Sequence, residues 1–398
     1  MKKFESVGAF ETNPKWDKMI ERQYSLYVRE NDMRSPFERD NNRIIHSTVY
    51  RRLKNKTQVF YSPLNDNICT RLEHVNYVSS IAYSIASFFG LNTELARAIG
   101  LAHDVGHSPF GHKGGIVLSN ISQRDIGETF WHERNGLYLV DNIQLLENTE
   151  GKKGNLNLTY AVRDGIISHC GEVNQNAIKP REEAIDLYIC TKPAEYQPYT
   201  WEACIVKIAD KISYLGRDIE DARKLGLMDG HEAEFDELGK KYTDKKVTNS
   251  FIINTLIKDL WENSSIEEGL KFSDNALNLM DEIKAFNAKV IYNSELLKPS
   301  DHYFDLCLNQ IYDVLSNLYD GKDTITKIES KEKYYPVLLS SFKDWLLTYI
   351  DRPNREDLVN RIIYDLNKKE DYLKAVITYI SGMTDNYAME MFNEIIQY

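Results

Sequence analysis

Long apolar runs are missing from this chain. No segment approaches the ~20 consecutive apolar residues that span a bilayer. The start, Met1-Lys2-Lys3-Phe4-Glu5, lacks the apolar core of a secretory signal. No membrane association is expected. Cysteine is scarce: five in 398 residues, at 69, 170, 190, 204 and 307, with no C-x-x-C pair. An odd, scattered set argues against a disulfide framework and a Cys-ligated zinc, and for a reducing, cytoplasmic setting. An excess of positive charge is also absent, since 49 Lys and Arg face 60 Asp and Glu for a net charge of −11. Such a chain is a poor general binder of nucleic acid. It takes a polyanionic ligand only where cations gather, as at Arg43, Arg51, Arg52, Lys54 and Lys56, with Arg71 following. That run reads equally as a solvated basic face.

What is present reads almost entirely as helix. Ser35-Pro36 marks a helix start, with a polar, basic helix over 36–56. Thr57 to Tyr61 is a short β-like run closed by Ser62-Pro63 and the turn-forming Asn65-Asp66-Asn67. Val75, Val78, Ala82, Ile85 and Phe89 fall at helical spacing over 71–89, with Gly90 as C-cap. Asn92 caps the next helix. Further helices are predicted over 128–147, 159–170, 181–190 and 200–225, and residues 227–250 as a polar surface excursion. A second helical block runs from 251 to 398, interrupted at 320–333 and 351–354. The expected class is all-α. The domain reading is an N-terminal segment (1–35), a core (36–226), the excursion (227–250) and a C-terminal helical region packed on the core (251–398).

The chemistry concentrates in Ala102-His103-Asp104-Val105-Gly106-His107-Ser108-Pro109-Phe110-Gly111-His112. Gly106, Pro109 and Gly111 break the preceding helix, placing His107 and His112 on a turn. Five of the nine histidines (74, 103, 107, 112 and 132) fall in a window of under a sixth of the chain. Imidazole and carboxylate together suit a divalent transition metal. An adjacent His-Asp pair cannot fill a coordination sphere, so His74 before it and an acid after it are needed. Asp210 is the best acid, because it lies inside the strongest amphipathic helix between Ile208 and Ile212, where an unpaired carboxylate is costly. A salt bridge to a nearby cation is the plainer alternative. Tyr214 and Asp218 follow at i+4 and i+8 on the same face, with Asp218 about 12 Å from Asp210.

His74, His103-Asp104 and Asp210 resemble the H…HD…D pattern of HD-domain metal-dependent phosphohydrolases. A longer ordered set is similar to the deoxynucleoside triphosphate triphosphohydrolases, or dGTPases. It comprises Arg51 to Phe60, Thr70 to His74, Gly106 to His112, Asn157-Leu158-Thr159, Ile208 to Tyr214 and Gly382-Met383-Thr384-Asp385. The resemblance implies an all-α, multi-helix HD-domain fold with an additional C-terminal helical region. It implies hydrolysis of a dNTP, by family habit dGTP, between the 5′-oxygen and the α-phosphorus, releasing deoxynucleoside and tripolyphosphate. His74, His103, Asp104 and Asp210 would hold the metal, Mn²⁺ or Mg²⁺ foremost, with Fe, Co or Zn also compatible. His112 matches the histidine at the α-phosphate. His107 and His132 match further active-site histidines of animal members that join a sterile-alpha motif to an HD domain. Gln58, Tyr214 and Asp218 match positions that hold the deoxyribose. Arg71 and Lys211 match phosphate contacts, and Arg52 counts with them as substrate-binding. The family also implies a homo-oligomer and, in some members, a nucleotide effector or single-stranded DNA.

One departure stands out. Relatives carry an acid three residues after the His112 position, where this chain has Gly115. Glu128 or Glu133 could substitute from the following helix. Asn386 is a lesser departure, standing where bacterial relatives tend to have Arg. Two other readings remain open: another HD phosphohydrolase acting on a different nucleotide, and a weakly catalytic nucleotide sensor or single-stranded-DNA-binding regulator.

Overall fold

Thr70 starts the helix on which the core is built. Its side chain accepts from the Glu73 N–H while the Glu73 carboxylate accepts from the Thr70 N–H, so both orphan donors of the first turn are satisfied. The helix runs Arg71–Phe89 and ends at Gly90, whose φ of 88° suits a residue without Cβ. Its apolar stripe packs on Thr93–Ala102, capped by the Asn92 side chain, and on Trp201–Lys224, capped by Thr200. The helices Pro36–His46 and Tyr160–Ser168 complete this inner bundle around Thr93–Ala102. A computed structural model provides the coordinates. It describes residues 2–26, 31–61, 65–148, 150–170, 176–244 and 246–397.

The protein is all-α apart from a two-stranded antiparallel ribbon, Leu145–Glu147 against Lys153–Asn155. The helices Asn249–Asn263 and Asp274–Asn287 lie on Trp201–Lys224. Lys298–Ser316 packs on Gly111–Ile126 and is backed by Lys369–Ser381 and Asp385–Ile396. No described helix is long and apolar enough to cross a membrane. The N-terminal segment joins the core, because Phe4 is wedged between Phe89 and Trp201 at centroid distances of 5.1 and 5.0 Å.

Several expected elements differ. The helix over 36–56 is broken at Ser47, which ends Pro36–His46 and caps Thr48–Arg52 with its own hydroxyl. The 128–147 helix shrinks to His132–Tyr138, loosens into a π turn at Leu139–Ile143 and then enters the ribbon. Over 181–190 only a single 3₁₀ turn forms at Leu187–Ile189. There Arg181 binds Asp164, and the Ile185 backbone pairs with the Tyr160 hydroxyl, pinning an extended path. The 57–61 run makes one bridge, Thr57 to Thr70; Ser62-Pro63 lies outside the described residues. The 227–250 stretch contains the helix Glu232–Lys240, which buries Phe235 and presses Gly239 on Val247. Its polar outer face concealed those two contacts. The charged 320–333 stretch likewise holds the helix Thr324–Lys331, anchored by buried Ile328. His112 is on the first turn of Gly111–Ile126, not on a free turn.

Candidate metal and phosphate site

Three helices and one break bring the site together. His74 is on the first turn of Arg71–Phe89, His103 and Asp104 end Thr93–Ala102, and Asp210 sits midway along Trp201–Lys224. His74 Nε2 lies 3.1 Å from Asp210 Oδ1 and 3.7 Å from Asp104 Oδ2. His103 Nε2 lies 3.7 Å from Asp104 Oδ1 and 3.8 Å from Asp210 Oδ1. Ligand atoms about 2.0–2.2 Å from one shared ion stand about 3.0–3.6 Å apart. His74, His103 and Asp210 come within 4.8 Å of one another as one group able to hold an ion, and Asp104 groups with His103 and His169.

The hydrogen bonds favour that reading. His103 Nδ1 lies 2.7 Å from the Gly100 carbonyl, so Nδ1 carries the proton and Nε2 keeps its lone pair. That buried Nε2 has no hydrogen-bond partner among the described residues. A buried acceptor left unmatched is costly, and a metal removes the cost. Burial raises the Asp104 pKa, but His107, His103 and Arg71 override it and hold the carboxyl well below the usual range. Asp104 is therefore a carboxylate ready to ligate.

A second shell of rings surrounds Asp104. His107 Nε2 is 3.2 Å from its Oδ1, and His132 Nε2 is 3.7 Å away. His107 and His132 stack at 3.9 Å between centroids. Burial depresses the pKa of both rings well below 6.5. Gly106 makes this possible: a Cβ there would stand 2.0 Å from the His132 carbonyl, so the motif loop and the His132–Tyr138 helix meet backbone to backbone. Glu133 Oε2 lies 3.2 Å from His132 Nδ1, and burial raises the Glu133 pKa. At Gly115 a Cβ would meet only Ser108 Oγ at 3.8 Å, so the position where the resemblance leads one to expect an acid is open space. Glu128 turns away and pairs with Lys374 at 3.1 Å.

These groups face a cavity of about 300 Å³. Gln58, Arg71, His74, Asp104, His107, His112, His132, Asp210, Lys211, Tyr214 and Asp218 all line it. Gln58 Oε1 is buried there without a hydrogen-bond partner among the described residues. Arg71 donates to Asp104 and to the Thr57 and Gln58 carbonyls. Arg52 is not at the cavity; it packs against Gly382 among Tyr349, Tyr379 and Tyr387, and burial lowers its pKa.

An HD domain is matched over residues 71–215. A deoxyguanosinetriphosphate triphosphohydrolase-like protein of Desulfatibacillum aliphaticivorans is 34% identical over 295 residues, covering 73% of this chain and 76% of its own. The chain belongs to this HD-domain, dGTPase-like family. Proteins of the same description from Caldanaerobacter subterraneus subsp. tengcongensis and Clostridium tetani are 30% and 29% identical over 92% of this chain, and over 86% and 88% of theirs. The family makes the chain a metal-dependent nucleotide phosphohydrolase.

Within this dGTPase-like frame the structure adds residues that sequence reasoning missed. His169 mirrors His103: its Nδ1 lies 2.8 Å from the Ile166 carbonyl, and its buried Nε2, without a hydrogen-bond partner among the described residues, faces Asp104 Oδ1 at 3.8 Å. Cys170 Sγ is 3.5 Å from His132 Nε2. Tyr292 donates to Asp218 Oδ2 at 2.5 Å, and burial raises the Asp218 pKa to about 7. Lys207 lines the cavity from the same helix as Asp210. The missed signals were faint. His169 ends an apolar helix as His103 does, and Lys207 lies one turn before Asp210.

Proposed function

We propose that the chain hydrolyses deoxynucleoside triphosphates, dGTP among them, between the 5′-oxygen and the α-phosphorus, giving deoxynucleoside and tripolyphosphate. One observation carries the reading. A single cavity joins His74, Asp104 and Asp210, with the buried His103 ring beside them, to Gln58, Tyr214 and Asp218. A nucleotide monophosphatase or a cyclic-nucleotide phosphodiesterase needs the first set and not the second.

His74, His103, Asp104 and Asp210 would hold the divalent ion, Mn²⁺ or Mg²⁺. Bound there, it polarises a phosphoryl oxygen and lowers the pKa of a water. The protein's own groups do the rest. Arg71 and Lys211 neutralise phosphate oxygens. His132 Nε2 takes the proton of the attacking water, and Glu133 steadies the resulting imidazolium at Nδ1. This dyad replaces the acid missing at Gly115. Burial and Arg71 lower the His112 pKa in the free protein. Beside the substrate's phosphate charges the ring takes up a proton and delivers it to the 5′-oxygen as the P–O5′ bond breaks. His112 is the motif histidine outside the ion-pair shell of Asp104, which suits it to that mobile role. Its ring stands 5.0 Å from that of His107, centroid to centroid. Asp218, Tyr292 and the partnerless Gln58 Oε1 offer acceptors and a donor for the sugar hydroxyl, while Tyr214 crowds a 2′-hydroxyl.

The test is to incubate each dNTP with the protein and Mn²⁺ and to resolve the phosphate products by ³¹P NMR. Tripolyphosphate is expected; pyrophosphate or orthophosphate as the primary product overturns the assignment.

A further inference from the structure

Lys207 is a buried amine with no counter-charge among the described residues. Its side chain is 2% exposed and lines the cavity, and its Nζ has no hydrogen-bond partner among the described residues. An ammonium left alone in the interior is strongly unfavourable. Burial accordingly lowers its pKa, and the thiols of Cys204 and Cys170 are the groups that act on it in the other direction. Those thiols supply no negative charge, because burial raises both of their pKa values. Asp104 and Asp210 are directed at His74 and His103, and Glu133 at His132. Among the described residues no anion is left over to face Lys207, and the ligand is the group that supplies one.

Position along the helix says which part of the ligand. Asp218, Tyr214, Asp210 with Lys211, and Lys207 line the cavity in order along one helix. Lys207 is therefore on the side of Asp210 opposite to Asp218 and Tyr214, about 4.5 Å along the axis from Asp210. A nucleotide with its sugar at Asp218 and its first phosphorus beside Asp210 extends its remaining phosphates towards Lys207. The geometry points to Lys207 as the residue that reads the end of the phosphate chain. It separates a triphosphate from shorter chains and holds tripolyphosphate until release. This rests on the nucleoside triphosphate reading above. It makes Lys207 a specificity residue and gives it no part in bond cleavage.

Binding of inorganic polyphosphates to the full, Mg²⁺-loaded protein tests it by calorimetry, with no turnover involved. The parent protein is expected to bind tripolyphosphate at least about tenfold more tightly than pyrophosphate, the scale of one charge-assisted contact. Lys207→Met should remove that preference while leaving pyrophosphate binding within about twofold. Lys207→Arg should keep it. Without ligand, Lys207→Met should melt above the parent, because an unpaired buried charge is gone. Tripolyphosphate should raise the parent's melting temperature more than the variant's. A Lys207→Met protein that still prefers tripolyphosphate, a Lys207→Arg protein as unselective as Lys207→Met, or a parent without the preference overturns the proposal. Failure of the reaction assignment is separable. A protein that releases pyrophosphate from dNTPs yet shows the Lys207-dependent preference loses only that assignment.

Discussion

At its histidine end the cavity is built from one stretch of chain; at its Asp218 end it is closed from opposite halves of the sequence. His74, His103, Asp104, His107, His132, His169 and Asp210 come from successive helices of the inner bundle. Their geometry is set by caps, helix ends and one backbone-to-backbone contact at Gly106. The opposite wall depends on long-range ties. Tyr292 reaches Asp218 across 74 residues of sequence. Lys56 donates to the His107 and Ser381 carbonyls, the second 325 residues away. Asp385 accepts from the Thr57 N–H at 2.7 Å and the Phe110 N–H at 2.9 Å. That last bond holds Phe110 at a left-handed φ of 61°, directly before the helix carrying His112. The Phe110 ring also stacks on Phe304 of the C-terminal region at 4.2 Å. The ion cluster is thus built within the helices before residue 225, while the placing of His112 and the sugar-side wall also depends on the C-terminal helices.

Variants at the two ends should separate them. The largest effect belongs to the cluster. Asp210→Ala should lose the bound metal, measured by elemental analysis, and at least about 10³-fold in kcat/KM, roughly 4 kcal/mol of transition-state stabilisation. Thermal stability should change far less, and an active, metal-retaining Asp210→Ala protein would mean that the cluster is not the metal site. Glu133→Gln comes next, with a loss of about tenfold to a hundredfold in kcat and an unchanged metal content. An unaltered kcat would return the acid's role to another group.

Across the seam the order reverses. Asp385→Ala leaves the Thr57 and Phe110 donors buried and unmatched, so it should cost about 3 kcal/mol of stability by denaturant unfolding. Metal affinity should be retained while kcat falls, because the turn before His112 loses its clamp. Equal losses of metal and stability would show that the two ends are one cooperative unit. The smallest effect is a pH dependence at Asp218. Its folded pKa, about 7, is raised above the unfolded value near 3.8. A raised carboxyl favours folding fully below the unfolded value, and that contribution disappears as the pH rises through about 7. Folding therefore takes up about one proton in between, and Asp218→Asn should flatten the decline in stability between about pH 4 and 7. A slope identical to the parent's would place the proton elsewhere.

The same contrast explains what could be read from the sequence. His74, His103 and Asp104 share helix-end positions, and Asp210 sits inside an apolar stripe, which residue spacing reveals. The long helices around Val75 and Ile205 followed from their periodicity. Tyr292 lies at the end of a π turn, Ala288–Tyr292, with no motif around it. It enters the site only through the packing of the C-terminal helices. Lys207 looked like one more charge on an amphipathic helix until its burial was seen. Arg52 belonged to a basic run that in sequence pointed at an anion, yet folding turns it towards three tyrosines and Gly382. The short helix Glu232–Lys240 was hidden because two buried residues do not make a stripe.

The central claim is that water attacks the α-phosphorus of a deoxynucleoside triphosphate in this cavity. Hydrolysis of dGTP in ¹⁸O-enriched water, followed by mass spectrometry of both products, tests it directly. The label should enter tripolyphosphate and leave the deoxynucleoside 5′-hydroxyl unlabelled. Label in the deoxynucleoside, or in pyrophosphate or orthophosphate released as the first product, would contradict it.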